Sequence, residues 1–160
     1  MSTNSIKIDI NNYKSMTIEH LVLDYNGTLA KDGIVKDGVK NLLPSLSKLF
    51  QVHVITADTF GSVHKQLDGF DVSVKVLKGE NHTVEKAEFI KTLGAASCAA
   101  VGNGNNDMQM LKTAELGIAI VADEGCATAT LLESDLVCSS IEDALELFSN
   151  PKRLIATLRK

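Results

Sequence analysis

Leu21-Val22-Leu23-Asp24-Tyr25-Asn26-Gly27-Thr28-Leu29 is the stretch from which the fold is read. An apolar run closed by a glycine turn has the pattern of a buried strand. Asp24 then stands at that strand's carboxyl end, the edge at which open α/β sheets place their ligands. A carboxylate there, followed by flexible Gly27 and the Thr28 hydroxyl, has the chemistry of an aspartyl nucleophile toward phosphorus.

Outward from this stretch, buried runs alternate with helical patterns. Val39, Leu42, Leu43, Leu46, Leu49 and Phe50 recur at helical spacing, with Pro44 expected to kink or split the helix. Residues 52–56 form the next buried strand, a short helix covers 63–67, and Val72, Val74 and Val76 alternate as in a strand. Residues 80–93 read as a helix stopped by Gly94. Strands at 98–101, 118–122 and 136–138 follow, separated by helices at 106–114 and from about 125; helices at 141–148 and after Pro151 close the chain. Upstream, Ile6, Ile8 and Ile10 alternate with Lys7 and Asp9, the pattern of an edge strand that turns at Asn11-Asn12 and pairs with the strand leading into Asp24. Strands alternating with helices predict a doubly wound, mostly parallel Rossmann-like α/β sheet, helices on both faces, in a single domain over 1–160.

The 160 residues suffice to bury roughly two thirds of the unfolded surface. A formal charge of -4, no basic stripe and few aromatics argue against a nucleic-acid partner. No apolar run is long enough for a membrane span, and residues 1–12 lack the apolar core of a signal peptide. Cys98, Cys126 and Cys138 have no metal or redox spacing; Cys98 and Cys138 lie in apolar runs and read as small buried hydrophobes, and a reducing compartment fits. The expectation is a cytoplasmic protein. The four histidines show no ligand spacing; His53 reads as packed within a strand. Lys152, Arg153, Arg159 and Lys160 complement a helix carboxyl end.

Phosphoryl transfer requires an in-line nucleophile, a cation bridging oxygens, and donors for the equatorial charge. Each has a candidate just after a buried strand. Asp24 is the nucleophile. Thr56 offers its hydroxyl, and Ala57 its backbone N–H. Gly27 and Thr28 offer donors in the first loop, and Lys86 a compact positive charge. Gly102-Asn103-Gly104-Asn105-Asn106-Asp107 supplies glycines for close backbone approach and the Asp107 carboxylate. Each piece alone reads equally as a turn or a cap; their shared placement at strand ends gives them weight.

Asp24 to Leu29 resembles the first motif of the haloacid dehalogenase (HAD) superfamily, Ile55-Thr56-Ala57-Asp58 its second, Lys86 its third, with Lys78 as the alternative lysine, and Gly102 to Asp107 its fourth. The run from Gly102 through Ala119 is similar to the hinge region of P-type ATPase phosphorylation domains, and the whole to small soluble P-type ATPase proteins. The resemblance implies Mg2+ as cofactor, with Asp24, the Asn26 carbonyl, Asn103 and Asp107 as its ligands, and a small phosphorylated substrate. Leu29 to Thr56 and Thr56 to Lys86 are too short for a cap or a nucleotide-binding domain, which excludes an ion pump and leaves an open site that a homo-oligomer could close.

Two positions depart from the family pattern. Asn26 replaces the second Asp of the first motif, the family's general acid/base; an amide does not titrate near neutral pH. Asn103 replaces a metal-binding Asp, and its oxygen brings no charge. The expectation is slow phosphatase or phosphotransferase turnover, with Asn26 in the catalytic set beside Asp24, Thr56 and Lys86. The alternative is a non-catalytic relative that binds phosphometabolites or a protein partner. A phospho-accepting receiver domain fits less well, because residues 10–23 carry no acidic pair.

Overall fold

The computed structural model describes residues 4–57 and 61–160. In chain order its elements are β1 (Ile6–Ile10), β2 (Lys14–Ile18), β3 (His20–Asp24), β4 (Ala30–Lys31), β5 (Ile34–Val35), α1 (Asp37–Leu49), β6 (Gln51–Thr56), α2 (Ser62–Gln66), β7 (Ser73–Val76) and α3 (His82–Leu93). They continue as β8 (Cys98–Gly102), α4 (Met108–Thr113), β9 (Leu116–Ile120), α5 (Thr128–Leu132), β10 (Leu136–Cys138), α6 (Ile141–Ser149) and α7 (Pro151–Leu158).

Six strands form one parallel sheet in the order β10-β9-β8-β3-β6-β7. From β3 the chain winds outward through β6 and β7, then crosses back to β8 and winds the other way through β9 and β10. The winding therefore reverses between β3 and β8, and the crevice at the carboxyl ends of these strands is where such sheets accept ligands. Asp24, the last residue of β3, stands at that crevice.

Both faces of the sheet are covered, which is why its strands read as continuous apolar runs. Leu21, Leu23, Val52, Val54, Ala99 and Val101 share one core with α1, α6, α7 and the β1–β2 hairpin. Val22, Ile55, Cys98 and Ala100 share the other with α3 and α4. The Phe50 and Phe148 rings meet edge to face at 5.3 Å and lock α1 against α6. The central strand β8 carries alanines rather than large residues, and Gly117 of β9 lets α4 come close: a Cβ there would lie 2.4 Å from the Leu111 carbonyl oxygen. Among the described residues no helix is long and apolar enough to cross a membrane.

The doubly wound architecture is as expected, with four local corrections. The amino-terminal strand does not pair with β3 at the sheet's edge. It pairs with β2 in a separate antiparallel hairpin, and the sheet's edges are β7 and β10. Both hairpin strands bury one face only, through Ile8, Ile10, Met16 and Ile18, whereas β3 is buried on both. A break is required between the two patterns, and Glu19 makes it, its N–H donating to Ser97 O and its carbonyl accepting from Gln51 N. Pro44 neither kinks nor splits α1; it lies on the exposed face while Val39, Leu43 and Leu46 hold the inner face in place. The helix expected from residue 125 begins at Thr128, because residues 122–125 form a turn with Gly125 at φ 71°. Finally, the short segment after Leu29 forms an unforeseen hairpin, β4 with β5.

Gly117→Ala is expected to lower stability by about 1–3 kcal/mol through overpacking, read as a lower urea midpoint at unchanged m-value. An unchanged midpoint would mean that α4 does not pass this close to β9.

Candidate functional site

The register of the sheet assembles the site. Asp24 lies beside Ile55 of β6, and Leu23 beside Val101 of β8. Thr56 and the loop after Gly102 therefore flank Asp24 on its two sides. The loop after β3 folds back on itself as the N–H groups of Thr28, Leu29 and Ala30 converge on the Tyr25 carbonyl, and Gly27 makes this possible at φ +77°.

Lys86 comes from α3, whose start is fixed by the Asn81 side chain accepting from Val84 N at 3.2 Å. On the buried face of this helix, with Ala87 and Ile90, Lys86 is 2% exposed. Its Nζ donates to Asp24 Oδ1 at 2.8 Å, to Asp107 Oδ1 at 2.7 Å and to Asn106 Oδ1 at 3.0 Å. An ammonium has three protons to give, and all three find acceptors. Lys78, the alternative lysine, is exposed. Of the two lysines, Lys86 is the one that meets Asp24.

Asp107 is fully buried. Its second oxygen accepts from the N–H groups of Asn103 and Gly104 at 2.9 and 3.0 Å. Gly102 is required beneath it, since a Cβ there would lie 2.5 Å from Asp107 Cγ. The loop is tied outward as well: Thr130 Oγ1 donates to Gly104 O at 2.6 Å, and Ala127 N to Asn103 O at 2.8 Å.

Two carboxylates around one ammonium set the electrostatics. Burial, then the charge of Asp107, raises the Asp24 carboxyl to about 7, with Lys86 pulling the other way. For Lys86, burial alone would lower the ammonium; Asp24 and Asp107 outweigh it and hold it above its ordinary value. Thr28 Oγ1 lies 3.2 Å from Asp24 Oδ2 and 3.3 Å from Asn103 Oδ1. Its single proton satisfies one of these oxygens at a time.

The oxygen-only donors gathered here, the Asp24 carboxylate, the Asn103 amide and the backbone of the 26–28 loop, suit a hard divalent cation such as Mg2+ that keeps several of its waters. Among the described residues no three His, Cys, Asp or Glu side chains come together as a ready-made metal cage. The donor chemistry therefore fits Mg2+ but supplies little charge.

Of the residues singled out from sequence, Asp24, Thr28, Lys86, Asn103 and Asp107 meet through hydrogen bonds. Thr56 is buried beside them at the end of β6, Asn26 and Gly27 form the adjacent turn, and Ala57 follows β6 at the same edge. Asp58 lies outside the described residues. Asn106 carries no signal of its own in the sequence; only the folded loop brings its amide oxygen to Lys86. His53 is packed, as expected: it is 3.1 Å from His20, stacks edge-on with Phe89, and burial holds it down at about 4. The cysteines are free. The cleft of about 280 Å3 lined by Asn4, Ser47, Gln51 and Asp71 opens at the opposite end of the strands.

No family model matches the chain. It is similar to two uncharacterized proteins of Methanocaldococcus jannaschii: 53% identical over 60 residues, 38% of this chain and 64% of the relative, and 44% identical over 39 residues, 24% of this chain and 89% of the relative. Among solved structures, 3-deoxy-D-manno-octulosonate 8-phosphate phosphatase from Moraxella catarrhalis, in complex with magnesium, phosphate and KDO, superposes with a TM-score of 0.64 at 18% identity, over 89% of this chain and 94% of that one. The cobalt-bound Haemophilus influenzae phosphatase of the same substrate gives 0.66 at 13% identity, over 86% and 88%. A CPx-ATPase catalytic domain gives 0.60 at 18% identity, over 72% of this chain and 46% of that one. With its six-stranded parallel sheet and strand-end site, the chain has the fold of the HAD superfamily phosphatases and of a P-type ATPase catalytic domain.

Proposed function

We propose that the chain is a Mg2+-dependent phosphatase or phosphotransferase acting on a small phosphorylated substrate through an aspartyl-phosphate at Asp24. The observation that carries this reading is the buried Asp24–Lys86–Asp107 bridge at the point where the sheet's winding reverses. A nucleophile that is itself nearly buried and held by a single buried ammonium is positioned for attack.

In the proposed step an Asp24 oxygen forms a bond to phosphorus as the bond to the leaving-group oxygen breaks. Thr28 Oγ1 orients the attacking carboxylate, and Asp107 fixes Lys86 so that its charge faces the phosphoryl oxygens. Thr56, Ala57 N–H and the Gly27–Thr28 loop are donors for the equatorial oxygens. Mg2+, held by Asp24, the Asn26 carbonyl, Asn103 and Asp107, would neutralise phosphoryl charge and favour the ionised nucleophile. The leaving oxygen must depart without a proton from Asn26, so acyl and aryl phosphates, which leave as stable anions, are the favoured class. Water then releases phosphate from Asp24. The β4–β5 hairpin follows the first loop and exposes Ile34, and a second copy of the chain docking there would close the site. The scarcity of carboxylates supports a second reading, binding of a phosphometabolite without turnover.

Phosphate release from acetyl phosphate and p-nitrophenyl phosphate is expected to require Mg2+ and to vanish in Asp24→Asn. Turnover unchanged by that substitution sinks the mechanism, and tight binding without release favours the second reading. Asn26→Asp should raise turnover by about 10²–10⁴-fold, the range that general acid–base catalysis contributes.

Lys86→Met should abolish activity and cost about 3–5 kcal/mol of stability by leaving two carboxylates uncompensated. The sign with pH follows from Asp24. Its folded value lies above its unfolded one, so the folded state binds the extra proton and the penalty appears as pH rises toward 7. The loss in Lys86→Met is therefore smaller at pH 5 than at pH 8 in denaturant titrations. Mg2+ at a hundredfold its Kd should stabilise the wild type by about 2.7 kcal/mol, and a melting shift that persists in Asp24→Asn would place the ion elsewhere.

A further inference from the structure

Glu124 takes no part in the four motifs, yet the fold carries it to them. It lies in the turn of residues 122–125 that follows β9, closed by Gly125 N donating to Ala122 O at 2.9 Å. Asn103 Nδ2 donates to Gly125 O at 3.2 Å, which ties this turn to the fourth motif. On its other side Asp123 accepts from Lys36 Nζ at 2.6 Å and faces Lys31 Nζ at 3.9 Å, which ties the turn to the segment that follows the first motif. Glu124 is thereby held over Gly27. A Cβ at Gly27 would lie 2.7 Å from Asn103 Nδ2 and 3.1 Å from both Asn103 Oδ1 and the Glu124 carboxyl carbon.

Among the described residues Glu124 has neither a hydrogen bond nor an ion pair, although its neighbour Asp123 is fully engaged. A free carboxylate thus stands over the loop that carries Asn26, with the Asn103 side chain against the same glycine; Asn26 and Asn103 are the two positions where the family pattern would place an Asp and this chain has an amide. The charge balance calls for one. Asp24 and Asp107 against Lys86 leave a single formal negative charge for a divalent cation, and the amide oxygens add none.

We infer that Glu124 supplies to the bound divalent cation the negative charge that Asn103 and Asn26 do not. The inference rests on the proposed Mg2+ site and extends it by one residue from outside the motifs. Glu124 acts on the cation beside Asn103 Oδ1, while Asp24 remains the nucleophile. Gly27 has a second role in this arrangement, since any side chain there would displace the Glu124 and Asn103 groups from each other.

The test uses Mn2+ as the probe, its binding followed by electron paramagnetic resonance, independently of turnover. In Glu124→Gln the affinity is expected to fall by about 10–100-fold, the range seen for groups that support metal ligands. The melting temperature without metal should stay at the wild-type value, because the side chain is exposed. The double variant E124Q/N103D should recover affinity, since it returns the charge to the same place. Mn2+ affinity unchanged by Glu124→Gln overturns the inference, as does a wild type that binds no Mn2+. Phosphate release by Asp24→Asn, measured beside it, separates the two readings: retained turnover sinks the aspartyl-phosphate mechanism while leaving a Glu124-dependent Mn2+ affinity standing.

Discussion

The ammonium of Lys86, placed between Asp24 and Asp107 with almost no access to water, is the constraint on which the rest of the site depends. Two carboxylates buried so close together repel, and neither could stay ionised in an apolar interior without a cation between them. Lys86 makes the pair tolerable, and Asn106 accepts its third proton. The arrangement is an electrostatic clamp across three elements: the end of β3, the second turn of α3 and the loop after β8. Such a clamp contributes less to net stability than to fixing one geometry, since desolvation offsets most of its attraction.

The surrounding fold is shaped to permit that clamp. Alanines in β8 and glycines at 102 and 117 let helices and loops approach the sheet closely, so Asp107 can tuck beneath Lys86 with its other oxygen held by two backbone N–H groups. Parallel strands deliver their carboxyl ends to one edge, which is why residues far apart in the chain converge. The groups gathered at this edge are themselves almost wholly buried, Asp24 and Lys86 among them.

The amides at positions 26 and 103 bear on the same charge balance. Asn103 donates to Gly125 and presents an oxygen beside Thr28, so this amide ties two loops together without adding charge. The turn of residues 122–125 brings a further carboxylate, that of Glu124, over Gly27 in the neighbouring loop.

The sequence by itself determined the alternation of buried runs and helices, hence the doubly wound sheet, because burial on both faces demands continuous apolar strands. It also determined that Asp24, Thr56 and the Gly102–Asp107 loop would share an edge, because parallel strands end on one side. It did not reveal where β2 stops and β3 begins, since the change from one-sided to two-sided burial at Glu19 depends on what packs against each strand. Lys86 and Lys78 could not be told apart until α3 was docked, which buries one and exposes the other. Asn106 as a partner of Lys86, the β4–β5 hairpin and the position of Glu124 over Gly27 were decided by tertiary structure alone. Each is a contact between segments whose own sequences carry no signal for the other, and only packing in three dimensions brings them together.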